Sequence, residues 1–157
     1  MKRILVVLTL VLMLAGCAGT KTESAKVLTN DEWNTVAEGI FNEMELPAMM
    51  PLSDVELTDY LGINAENLES FLVMLPMMNV HATEIMVYQA KEGMLETVTE
   101  EVNAYLENYE QMWSTYLPDQ YELVQNRVQK TVGNTLIVII AEDTAAIEAK
   151  IDAALAE

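Results

Sequence analysis

The run Leu136-Ile137-Val138-Ile139-Ile140-Ala141 constrains this chain more than any other stretch. It is apolar without alternation, rich in β-branched residues and too short for a buried helix, so it predicts a strand. A strand apolar on both sides is central and covered on both faces, or else its second face meets a partner. Gly133-Asn134 separates it from an upstream β-rich run beginning at Arg127, the two-residue signature of a tight hairpin. The chain must therefore build a sheet with this hairpin in it.

The remaining elements follow from periodicity. Thr29 and Glu32 form a capping-box start, and Trp33, Val36, Ala37, Ile40, Phe41 and Met44 recur on one helical face. The stretch from Glu45 to Leu68 contains Pro47, Pro51 and Gly62, which predicts extended chain with short helical turns. Ser70 to Leu75 and Thr83 to Ala90 read as strands, interrupted by Pro76 and Asn79. After Gly93 a long helix carries a stripe of Val98, Val102, Tyr105, Tyr109, Met112 and Tyr116 and stops at Pro118. A last helix begins at Asp143 and places Ile147, Ile151 and Leu155 four residues apart.

The predicted fold is α+β: a four-stranded antiparallel sheet from two strand-strand-helix units, preceded by an N-terminal amphipathic helix. The halves resemble each other, since Thr83–Val87 followed by Val98, Val102 and Leu106 corresponds to Thr135–Ile139 followed by Ile147, Ile151 and Leu155. Any strand followed by an amphipathic helix shows that likeness.

The amino terminus, MKRILVVLTLVLMLAGC, has two basic residues, an apolar run from Ile4 to Leu14 broken only by Thr9, and small residues before Cys17. These are the parts of an export signal, and the run is too short for a spanning helix of about twenty residues. Leu14-Ala15-Gly16-Cys17 resembles the lipobox of bacterial lipoproteins, in which the cysteine is lipidated and becomes the first residue. The expected organisation is a signal peptide over 1–16, a lipidated Cys17 and flexible tether over 17–29, and one domain over 30–157. The expected location is the extracytoplasmic face of the cell membrane.

Cys17 is the only cysteine, so the fold rests on its hydrophobic core without a disulfide. The full chain has a net charge of −17, and without Lys2 and Arg3 it has six basic and twenty-five acidic residues, or −19. Such a surface repels phosphate backbones and anionic headgroups, which argues against nucleic acid and against bilayer contact beyond the anchor.

The segments PMMNVHATEI (Pro76–Ile85) and YLPDQYELV (Tyr116–Val124), followed by VGNTLIVIIAED behind a lipobox, resemble domain of unknown function 4358. That family comprises short bacterial lipoproteins with a strand-rich middle and a helix leading into a Tyr-x-Pro turn. The resemblance implies organisation rather than an activity. It also implies an arginine in the long helix, where this chain has Glu107-Asn108.

Candidate chemistry is sparse. His81 is the only histidine, and the sequence supplies no nucleophile motif or second histidine beside it. Period two puts His81, Thr83, Ile85 and Val87 on one strand face and Glu84, Met86 and Tyr88 on the other, so His81 and Glu84 are not expected to act together. Met74, Met77, Met78 and Met86 raise a copper(I) site, set against methionine as a flexible core filler. Met49-Met50 reads as an exposed apolar patch. The acids, including Asp54, Glu56, Asp59, Glu100 and Glu101, match no calcium loop and read as solvated surface. Arg127 and Lys130 are expected to pair with nearby acids. The sequence thus predicts no catalytic residues, no metal and no cofactor, with Asn79 and His81 as the candidate binding residues. The expected function is a lipid-anchored, non-enzymatic binding or interaction module at the cell envelope, with an envelope protein as its possible partner. The alternative is a soft-metal or small-solute-binding accessory lipoprotein.

Overall fold

The computed structural model describes residues 25–156; the expected signal peptide and Cys17 lie outside the described residues. The elements run α1 (Asn30–Glu43), β1 (Met49–Pro51), α2 (Asp54–Leu61), a 3-10 turn (Ala65–Asn67), β2 (Leu68–Pro76) and β3 (Glu84–Ala90). They continue with α3 (Leu95–Trp113), α4 (Pro118–Gln125), β4 (Val128–Val132), β5 (Thr135–Ile140) and α5 (Thr144–Ala156). One antiparallel sheet has the order β1-β2-β3-β5-β4. β3 and β5 are buried along their whole length, which accounts for the missing alternation in both. Each is covered by its own fold on both faces. On one side α2, α3 and α4 pack on Phe71, Val73, Met86, Tyr88, Leu136 and Val138. On the other, α1 and α5 pack on Leu72, Met74, Ile85, Val87, Ile137 and Ile139.

The local signals act where the sequence places them. Thr29 and Glu32 close the capping box of α1, and Ser53 and Glu56 build a second at α2. Those backbone hydrogen bonds hold the Glu32 and Glu56 carboxyls below their ordinary range. The β4–β5 hairpin turns on Gly133 at φ +57° with Val132 opposite Thr135. Positive φ at the first of two turn residues is the demand that glycine meets in a type II′ turn.

The structure corrects several expectations. The sheet has five strands, not four: Met49–Pro51 pairs with the end of β2, and three residues ending in proline on an edge give too short a pattern to read. Met49 and Met50 are therefore half-buried in that strand rather than an exposed patch. Pro118 starts a helix as well as following one, at the first helical position where its missing N–H costs nothing. The buried stripe of α3 is Val98, Val102, Leu106, Tyr109 and Trp113, so Met112 and Tyr116 are exposed. Both stripes share a helical period, and the one with Leu106 and Trp113 buries more carbon.

The domain includes residues before Asn30. The Leu28 side chain is buried, the Leu28 N–H donates to the Gln89 side chain at 2.7 Å, and the Lys26 N–H donates to the Leu155 carbonyl at 3.0 Å. The tether expected through residue 29 is thus docked from Ala25 onward. Nor are the two halves a structural repeat. A two-fold relating antiparallel neighbours β3 and β5 runs perpendicular to the sheet and would leave α3 and α5 on one face. They lie on opposite faces.

Candidate functional site

At one pole of the sheet, β3 begins, β5 ends, α1 ends and α5 begins. Between these termini lies an open groove of about 870 Å³, lined by Glu43–Pro47, His81, Thr83, Gln120, Leu123, Glu142, Asp143 and residues of α5 from Ala146 to Lys150. Its size falls in the range of small-molecule pockets, about 300–1,000 Å³. The loop before β3 is fixed from two sides. The Met77 N–H donates to the Ala48 carbonyl at 2.8 Å, and the Ala82 N–H donates to Gln120 Oε1 of α4 at 2.7 Å. These bonds set His81 and Thr83 in the groove floor.

Of the two candidate binding residues, the structure places His81 in the groove and leaves Asn79 exposed on the loop outside its lining. His81 lies in the loop ahead of β3, which begins at Glu84, so the strand period does not govern the pair: His81 lines the groove while Glu84 is buried on the α3 face. The four methionines also diverge. Met74 is buried in the α1/α5 core and Met86 in the α3 core across the sheet, while Met77 and Met78 are exposed on the loop. Met74 and Met86 thus act as core filler, and that role does not extend to the exposed Met77 and Met78. Among the described residues no group of three or more His, Cys, Asp or Glu side chains is disposed to hold a metal ion.

Sequence reasoning missed Glu84. It is buried on the α3 face, where its Oε1 accepts from the Tyr105 hydroxyl at 2.7 Å. Its Oε2, the Tyr88 hydroxyl and the Trp113 indole N–H are buried with no hydrogen-bond partner among the described residues. Burial pushes the Glu84 carboxyl up to about 8, while the Tyr105 and Tyr109 hydroxyls pull the other way. Burial, and then Glu84 itself, raise the hydroxyls of Tyr88, Tyr105 and Tyr109, so all three stay protonated. The available signal was position: a carboxylate in a strand apolar on both faces has no solvated side to turn to.

A second buried polar group, Gln89, is fully used. Its Oε1 accepts from Leu28 N–H, the Trp33 indole at 3.2 Å and the Ser70 hydroxyl at 2.8 Å. Its amide donates to the Lys26 carbonyl at 2.7 Å and to the Thr135 hydroxyl at 3.2 Å. This is a structural clamp. The basic step pairs as expected: Arg127 binds Glu110 at 3.1 Å, and Lys130 binds Glu148 at 2.6 Å and Asp152 at 2.7 Å. Partial burial works against the Lys130 charge, but those two carboxylates outweigh it and raise its pKa. Glu107 and Asn108, where the resemblance implies an arginine, are exposed.

A family model described as Domain of unknown function (DUF4358) matches residues 42–141, a span that holds all five strands. A second, described as Prokaryotic membrane lipoprotein lipid attachment site, matches residues 1–18. Among the described residues no helix is long and apolar enough to cross a membrane. No curated protein and no solved structure matches the chain. Matched across its whole sheet and carrying a lipid attachment site ahead of it, the chain belongs to the family of domain of unknown function DUF4358.

Proposed function

We propose that this lipoprotein is a non-enzymatic binding module on the extracytoplasmic face of the cell membrane, and that it binds in the groove beside His81. The observation that carries the reading is where the groove lies. Ala25, the first described residue, lies at the opposite pole against the β4–β5 turn, its nitrogen 3.1 Å from where a Gly133 side chain would start. Strands of six or seven residues separate the poles by about 20 Å. A lipid on Cys17 secures the chain upstream of the far pole, so the groove opens away from that pole. The acidic surface keeps the rest of the domain off anionic headgroups.

The test is amide NMR of the mature protein in detergent against a mixed panel of small organic cations, anions and neutral compounds. Binders should perturb His81, Thr83 and Glu142 and be lost when Ala149→Trp fills the groove from an exposed helical position. Binders scattered over the surface, or compounds returned chemically altered, would overturn the reading.

A further inference from the structure

Carboxylates outnumber cations in the groove. Lys150 is its one lysine or arginine, and Glu43 holds it at 2.7 Å. Glu45, Glu142 and Asp143 also line the groove, and none of them has an ion-pair partner among the described residues. Asp143 gives one oxygen to cap α5, accepting from the Ala146 N–H at 3.0 Å, which leaves the other free. The C-terminus of α1 opens here too, and its last turn carries no basic residue. Its terminal carbonyls add partial negative charge, while the α5 N-terminus at the same pole adds partial positive charge that the Asp143 carboxylate meets.

A further observation is independent of the carboxylates. Thr83 is 6% exposed and lines the groove. Its hydroxyl has no hydrogen-bond partner among the described residues, so a nearly buried polar group is presented to whatever enters. Beside these and the polar His81 and Gln120, the lining offers carbon from Met44, Leu46, Pro47 and Leu123. Dispersed, strongly hydrated metal ions gain nothing from carbon walls, whereas an alkyl chain gains burial along its length.

We infer that the groove takes an aliphatic ammonium ligand, an alkyl chain bearing primary amines. The methylenes lie on Met44, Leu46 and Leu123, and the ammonium groups are met by Glu45, Glu142 and the Thr83 hydroxyl. This rests on the groove reading above and adds the ligand class to it. The same chemistry is found in a free polyamine and in a lysine side chain.

The experiment titrates the mature protein, in detergent at low salt, with 1,5-diaminopentane, with 1,5-pentanediol and with a blocked Gly-Lys-Gly peptide, following amide shifts. Diaminopentane should saturate shifts at Glu45, His81 and Thr83. The paired change Glu45→Gln and Glu142→Gln should weaken it about tenfold, and raised salt should weaken it further. A response to the peptide as strong as to the diamine assigns the ligand to polypeptide lysine; a diamine response alone assigns it to a free amine. Equal groove shifts with pentanediol would overturn the cationic class while leaving the groove as a binding site. Diamine shifts spread over the acidic surface and unmoved by the double variant would also overturn the cationic class. If neither these probes nor the mixed panel perturbs the groove, both readings fall.

Discussion

Glu84 shows how a single side chain can set the pH response of the whole fold. Its carboxyl titrates near 8 in the folded chain against an ordinary 4.5. The native state therefore holds a proton that the unfolded state has released between those values. Stability from this group is full below about pH 4.5, declines as pH rises, and is lost above about 8. The slope approaches about 1.4 kcal/mol per pH unit, so the span amounts to a few kcal/mol. Denaturant midpoints measured from pH 5 to 9 should fall across this window, and Glu84→Gln, neutral at every pH, should flatten the profile. An unchanged slope in the variant would place the proton elsewhere. Glu32 and Glu56 do not confuse the reading, because carboxyls held below the ordinary value lose their contribution only on the acid side. The residues alone carried one signal, a carboxylate in a strand apolar on both faces, but not its surroundings: only the packing of α3 across β3 brings the Tyr105 hydroxyl to Glu84.

At the scale of elements, long periodic segments were legible and short ones were not. α1, β3, β5, α3 and α5 each contain enough residues for their period to show. β1 and α4 have three and eight residues, and both exist because neighbours accept them: β1 on the edge of β2, and α4 beneath the loop that carries His81. The hairpin was legible because its turn residue is dictated by backbone geometry. Gly133→Ala places a side chain at φ +57° and 3.1 Å from the Ala25 nitrogen. Gly62→Ala, at φ +71°, meets nothing within 4 Å. Conformational strain alone should cost about 1–2 kcal/mol at either site, and the docked Ala25 should add to it at Gly133. Urea midpoints should therefore fall further for Gly133→Ala; equal losses would mean that Ala25 yields freely to the new side chain.

The whole molecule is organised between two poles, one where Ala25 lies and one where the groove opens. The lipid attachment site at residues 1–18 contains Cys17, eight residues before Ala25, and a chain of that length reaches at most about 28 Å. Cys17→Ala should move the protein out of the membrane fraction or leave it as unprocessed precursor on a gel. A mature, membrane-bound product would contradict lipidation at this residue. Of the groove itself, the sequence disclosed His81 but not its company. Glu43, Glu45, Glu142, Asp143 and Lys150 come from two helix ends far apart in the chain, and only the antiparallel packing of α1 and α5 brings them together. The central claim is that this assembled pole is where the protein binds. The most direct measurement is of intermolecular nuclear Overhauser effects from the methylenes of 1,5-diaminopentane to the mature protein at saturation. Contacts to His81, Thr83 and Leu123 that vanish in Ala149→Trp are expected, whereas contacts elsewhere on the fold, or contacts that survive the filled groove, would mean that the pole is not the binding site.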